Sequence, residues 1–206
     1  MTTAICFDCD GTLLRFEQSY AEVLRAALEY ELGEVPDALI ETYDEAFFAA
    51  FDALEPDPVE TAMDAVLAET DAAGDPVDLA AALLEAEQAA TTVPDGTRES
   101  LAALGESNRL AVVTNGVPEW QRAKLAHHDL LTHFGTVVAS YEVGAHKPDS
   151  APFEELRSRI EAEQYVMVGD DYEADVEGAR AAGFVPVHVE DDAEMPDFWA
   201  TLRAMV

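Results

Sequence analysis

Ile5-Cys6-Phe7-Asp8-Cys9-Asp10-Gly11-Thr12-Leu13-Leu14 carries two overlapping patterns. Cys6 to Cys9 is a C-x-x-C, the spacing of a redox pair or of half a zinc site. Asp8 to Thr12 is a D-x-D-G-T, two carboxylates ahead of a turn. The residues before them decide between the two. Thr3–Phe7 is a short apolar run that reads as a buried strand. Strand side chains alternate between faces, so Cys6 and Cys9, an odd number of positions apart, point opposite ways. Asp8 and Asp10, two apart, can share a face at the strand's end before Gly11-Thr12 turns the chain. A zinc site would need further ligands, but the chain has two cysteines in all, and His127, His128, His133, His146 and His188 show no ligand spacing. A thioredoxin-like pair would open a helix rather than close a strand. Both cysteines are therefore expected to be small apolar filler, and the carboxylates to carry the chemistry. Carboxylates at the carboxyl end of a parallel strand sit where open α/β sheets bind ligands.

Four more apolar runs end in turns and lead to helical segments: Leu110–Thr114, Thr136–Ala139, Tyr165–Val168 and Val185–Val189. Between them, Glu119–Leu125, Pro152–Glu161 and Asp175–Ala182 have helical composition. Alternating strand and helix predicts an α/β fold, a Rossmann-like parallel sheet with helices on both faces. Residues 15–92 break this pattern. They are rich in Ala, Leu and Glu, show helical spacing and no strand, and are cut into about four helices at Gly33-Glu34-Val35-Pro36, Glu55-Pro56-Asp57-Pro58 and Gly74-Asp75-Pro76. A core strand precedes this block, so it reads as an inserted helical cap. The expected division is a discontinuous core of residues 1–14 and 93–206 with a cap of residues 15–92.

The charge balance is lopsided: 11 Lys and Arg stand against 43 Asp and Glu, a formal net charge of −32. Such a surface repels nucleic acid and anionic membranes, so neither is an expected partner. An apolar fraction of 49% argues for a folded protein rather than a disordered acidic one. Molar salt shortens the Debye length to about 3 Å and removes most of the self-repulsion, so a halophilic setting fits. No basic segment followed by an apolar run opens the chain, and no apolar stretch is long enough to cross a bilayer, so a cytoplasmic location is expected. Lysine occurs only at Lys124 and Lys147. Lys124 lies on a helix and is expected at the surface; Lys147 sits in a loop ahead of one.

Three other strand or loop ends carry polar groups: Thr114-Asn115-Gly116, His146-Lys147-Pro148, and Gly169-Asp170-Asp171 with Asp175 beyond. Together with the D-x-D-G-T, in this order and spacing, they resemble the four motifs of the haloacid dehalogenase-like hydrolases, in the subfamily with a helical cap after the first strand. The resemblance implies that Asp8 is a nucleophile that takes up a phosphoryl group, and that Asp10 is the acid and base. Thr114 and Asn115, with nearby backbone N–H groups such as those of Cys9 and Gly116, would contact the phosphoryl oxygens. Lys147 would bridge nucleophile and phosphate. Mg²⁺ would be held by Asp8, Asp170 and the Asp10 carbonyl, with Asp175 and Asp171 as further candidates; Asp175 could instead hold Lys147. The cation and lysine would offset the carboxylates that otherwise repel a phosphate.

Within this family Asp10 argues against dehalogenation, because a departing halide needs no proton. A phosphonatase would need a cap lysine for a Schiff base, and residues 15–92 have none. The run from Thr114 through Gln121, Lys124-Leu125 and Phe134 to Glu142-Val143-Gly144 is similar to the phosphatase and nucleotidase branch. The implied activity is hydrolysis of a small phosphate monoester: a nucleoside monophosphate, phosphoglycolate or a sugar phosphate. Two alternatives stay open, a non-catalytic binding protein of the same fold and a phosphosugar mutase. Arg15, directly after the catalytic loop, could equally reach substrate or pair with a local acid such as Glu17.

Overall fold

The computed structural model describes residues 2–70, 72–190 and 198–205. In chain order the elements are β1 (Thr3–Phe7), β2 (Arg15–Phe16), α1 (Tyr20–Leu32), α2 (Asp37–Asp52), α3 (Pro58–Ala68), α4 (Pro76–Ala90) and β3 (Thr91–Thr92). They continue with α5 (Thr97–Gly105), β4 (Arg109–Thr114), α6 (Pro118–His127), β5 (Thr136–Ala139), α7 (Ser140–Val143) and α8 (Ala151–Arg159). The last are β6 (Gln164–Gly169), α9 (Gly178–Ala181), β7 (Val185–His188) and α10 (Phe198–Met205). The chain divides into two compact units, Met1–Arg15 with Val93–Val206, and Phe16–Thr92.

The first unit is built on a five-stranded sheet of order β5-β4-β1-β6-β7, in which every pairing is parallel. From β1 the chain builds outward to β4 and β5, then returns to β6 and β7 on the other side. That reversal puts a crevice beyond the carboxyl end of β1, where doubly wound sheets bind ligands. The pleat sorts the core into two layers. Ile5, Phe7, Val112, Val166 and Val168 pack with Leu101, Leu104, Leu125 and Trp199 from α5, α6 and α10. Cys6, Ala111, Val113 and Met167 pack on the opposite face with Phe153, Leu156 and Ala179 from α8 and α9. Both faces are covered by helices, as the alternating pattern requires.

Two expected helices differ. Pro152–Glu161 stops at Arg159, because the Tyr165 hydroxyl donates to the Ile160 carbonyl (2.8 Å) and accepts from the Ala162 N–H (3.2 Å), which turns the chain away. The Asp175–Ala182 segment begins as a wide π-type turn over Tyr172–Glu177 before α9.

The second unit consists of α1–α4, with α1 packed mainly on α4 and α2 on α3. Ser19 and Glu22 form a capping box at the start of α1, and Asp75 caps α4 ahead of Pro76. On α2, Tyr43, Phe47 and Phe51 recur at helical spacing and stack, with ring centroids 5.7 and 5.3 Å apart. The expectation of no strand near this block is corrected at both crossings: Arg15–Phe16 and Thr91–Thr92 pair as a two-stranded ribbon. No helix among the described residues is long and apolar enough to cross a membrane.

Candidate active site

β1 delivers the first carboxylate. The Asp8 N–H donates to the Val168 carbonyl (2.8 Å), which extends the ladder to β6 one residue past the strand. The chain then doubles back: the Leu13 and Leu14 N–H groups both donate to the Cys9 carbonyl, and the Gly11 N–H to that of Leu14. Gly11 has φ +82°, and a Cβ there would run into the Asp170 carboxylate, so this turn requires glycine. Asp170 follows β6, and its carboxylate accepts from Thr12 Oγ1 at 2.8 Å.

Asp175 is brought in by the π-type turn. Asp171 Oδ1 accepts from the Ala174 N–H (2.8 Å) and Asp175 Oδ2 from the Asp171 N–H (3.2 Å). These reciprocal bonds hold Asp171 as the cap of the turn and bury Asp175. One carboxylate oxygen each from Asp8, Asp170 and Asp175 lie within 4.8 Å of one another.

Lys147 Nζ sits among these groups, 2.8 Å from Asp8 Oδ1, 2.5 Å from Asp175 Oδ1 and 2.8 Å from the Val113 carbonyl. It is almost fully buried, and its three N–H donors are all used. Burial lowers its pKa, but the Asp8 and Asp175 charges outweigh this and raise it. Asn115 braces the lysine's backbone, its Nδ2 donating to the Lys147 carbonyl (3.0 Å) and its Oδ1 accepting from the Lys147 N–H (2.8 Å).

The second catalytic candidate has its own lysine. Lys124 Nζ lies 2.7 Å from both Asp10 oxygens, and Gln121 Nε2 donates to Asp10 Oδ2 (2.9 Å) and to Thr114 Oγ1 (3.1 Å). Lys124 is therefore no surface residue. α6 turns Gln121 and Lys124 inward, three positions apart on one face, and both are buried. The spacing and the scarcity of lysine were the available signals.

Asp8, Asp10, Thr114, Asn115, Lys147, Asp170, Asp171 and Asp175 line one cavity of about 190 Å³. A larger hollow of about 880 Å³, at the amino ends of the strands, mixes Arg109 and Arg159 with Glu161 and Glu163 and contains none of these groups. Two of the expected phosphate contacts already have protein partners. The Gly116 N–H is committed to Ser140 Oγ (2.9 Å), and the Asn115 side chain to the Lys147 backbone. The Cys9 side chain is buried in the core, which leaves only its backbone to face a ligand.

Burial is the main force on the carboxylates. It pushes Asp8 up to about 6, assisted by the Asp175 and Asp10 charges and opposed by Lys147. It also raises Asp170 and Asp175. Three crowded oxygen donors that resist ionisation with one lysine present suit a hard divalent cation. The donor set fits Mg²⁺.

Cys6 and Cys9 are free, fully buried and assigned to opposite core layers. Burial raises both thiols above their ordinary range. A thiol-specific disulfide reagent is expected to titrate neither cysteine in the native protein and both after unfolding. Rapid native reaction would restore the redox reading.

The model of the haloacid dehalogenase-like hydrolases matches residues 2–183. The chain belongs to that family. A phosphoserine phosphatase of Thermus thermophilus is 41% identical over 111 residues, 48% of this chain and 45% of that protein. A ribulose-1,5-bisphosphate 5-phosphatase of Halopiger xanaduensis is 39% identical over 119 residues, 54% and 49% of the two chains. The chain thus spans about half the length of these two relatives. The magnesium-bound crystal structure of YfnB from Bacillus subtilis superposes with a TM-score of 0.71 at 24% identity, covering 95% of this chain and 91% of that one. This likeness shows the fold of the family.

Proposed function

We propose that this chain is a Mg²⁺-dependent phosphatase that hydrolyses small phosphate monoesters through an aspartyl-phosphate at Asp8. One observation carries the reading: two Lys–Asp pairs, Lys147 with Asp8 and Lys124 with Asp10, meet at a single carboxylate-lined cavity. The phosphatases among its relatives support it.

An Asp8 oxygen attacks phosphorus and forms the acyl phosphate as the ester oxygen departs. Asp10 gives its proton to that oxygen, then as carboxylate removes one from the water that attacks phosphorus in the second step. Phosphate leaves, and Asp8 is restored. Lys147 holds Asp8 in line and places a positive charge beside the phosphoryl oxygens, while Asp175 fixes Lys147. Thr114 Oγ1 and backbone N–H groups of the D-x-D turn contact those oxygens. Asp8, Asp170 and the Asp10 carbonyl would hold Mg²⁺, with Asp175 adjacent. The cation, when bound, supplies positive charge against the incoming phosphate.

The cap segment supports a leaving group with little negative charge. Its cations are Arg15 and Arg25, and the Arg25 guanidinium donates to Asp37 and to the Val35 carbonyl. The acidic composition supports a salt-rich cytoplasm as the working medium. The test is phosphate release in molar KCl, with and without Mg²⁺, from nucleoside monophosphates, phosphoglycolate, sugar phosphates and an aryl phosphate. Mg²⁺-dependent release is expected, with monophosphates preferred. Preference for a bisphosphate over its monophosphate would overturn the leaving-group assignment, and release from none of the esters the phosphatase itself.

A further inference from the structure

Lys124 has a side chain 4% exposed, and Asp10, with which it pairs, is 35% exposed. A buried ammonium is costly unless paired, and one whose partner stands at the mouth of a cavity spends that cost where it constrains the partner. Asp10 follows a strand end in a tight turn, where its side chain would otherwise sample several rotamers. Instead, two groups from α6 hold it. Lys124 Nζ reaches both oxygens at 2.7 Å, and Gln121 Nε2 adds a second donor to Oδ2 at 2.9 Å. Gln121 Nε2 also reaches Thr114 Oγ1 at 3.1 Å, which ties the acid/base to the end of β4.

We propose that Lys124 and Gln121 are positioning residues that clamp Asp10, holding its carboxyl group in one orientation at the cavity where the leaving group departs. Oδ2 receives two donors and Oδ1 one, so both oxygens are held from α6. In the second step the same clamp holds the carboxylate as base. Each lysine of this two-lysine chain thus serves one of the two catalytic aspartates. The inference rests on the phosphatase reading.

The test is kcat/KM, which reports the steps through leaving-group departure, measured with Mg²⁺ on esters ranging from alkyl phosphates to 2,4-dinitrophenyl phosphate. An alkoxide needs a proton to leave and a dinitrophenolate does not. Lys124→Met is expected to lose about 10- to 100-fold on the alkyl ester, within the range for general acid catalysis, and under about threefold on the dinitrophenyl ester. Lys124→Arg is expected to recover most of the alkyl activity. In an Asp10→Asn background, Lys124→Met should add no further loss, as for two residues acting as a unit. Equal losses on all esters, no loss, or additive losses would overturn the clamp. If Lys124→Met does not fold, Gln121→Leu must show the same selective loss; failure of both to fold assigns the pair a structural role and also overturns it. A wild type inactive on every ester refutes the phosphatase reading and this inference with it, whereas an active wild type with an unselective Lys124→Met response refutes the clamp alone.

Discussion

Asp8→Asn is expected to abolish turnover and, in the absence of divalent cations, to make the protein more stable. The loss of activity should be roughly 10⁴-fold or more, as for removal of a nucleophile that acts with a partner. The gain in stability follows from the electrostatics. Burial pushes the Asp8 carboxyl up to about 6 in the folded protein, against about 3.9 in an unfolded chain. Between these values the folded state binds more protons than the unfolded one, so stability falls as pH rises through the window and the full penalty applies above 6. At pH 7.5 the wild type therefore carries a cost of about 3 kcal/mol that an uncharged Asn lacks. The Asp8–Lys147 pair is lost, but Lys147 keeps Asp175. Thermal melts in molar KCl with EDTA should put Asp8→Asn several degrees above wild type at pH 7.5, with the gap closing toward pH 5. Added Mg²⁺ should narrow the gap at pH 7.5, because the wild type gains more from the ligand. A variant that melts below wild type in EDTA would show that the ion pair, not burial, dominates at Asp8.

Much of this arrangement is legible in the sequence because period-two and period-3.6 arguments apply to it. β1 alternates, so Cys6 goes to one core layer and Ile5 and Phe7 to the other, while Asp8 and Asp10 follow its carboxyl end at the crevice. Lys147 stood out because lysine is scarce. What escaped depends on contacts between distant segments. α6 reads Pro-Glu-Trp-Gln-Arg-Ala-Lys-Leu-Ala-His, with too few apolar residues to reveal which face is buried. A charged helix residue is ordinarily solvated, so the sequence alone places Lys124 outside, and the position of Asp10 beneath α6 accounts for its burial. For Gly116 and Asn115 the expectation of a ligand contact comes from the family resemblance. Whether an N–H or amide faces a phosphate or a neighbouring loop depends on Ser140 and the Lys147 backbone, more than twenty residues away. β2 and β3 have two residues each, too few for any periodicity. The wide turn after Asp171 carries helix-forming residues, and only the reciprocal Asp171 and Asp175 hydrogen bonds open it.

Lys147→Met should impair the same chemistry with the opposite effect on stability. Its folded pKa is raised, so its contribution is complete below about 10.4 and is lost only as pH rises beyond that; at pH 7.5 it is fully present. Removing it leaves Asp8 and Asp175, with Asp170 beside them, to face one another without their shared cation. Breaking a buried pair in this way typically costs about 3–5 kcal/mol. In EDTA at pH 7.5 the variant should melt well below wild type, and acidification toward pH 5 should recover part of the loss as the carboxylates take up protons. Mg²⁺ should raise its melting temperature by more than it raises that of wild type, since the remaining carboxylates then depend on the added cation for charge compensation. Turnover should fall by roughly 10³-fold or more even when Mg²⁺ restores stability, because general electrostatic rescue does not replace a donor aimed at the phosphoryl oxygens. The double variant Asp8→Asn, Lys147→Met separates the contributions. If charge balance around the cavity sets stability, Asp8→Asn should raise the melting temperature by more in the Lys147→Met background than in wild type, since there it removes an uncompensated carboxylate and breaks no ion pair. Additive effects of the two substitutions would instead assign Lys147 a packing role, and the opposed signs would then need another cause.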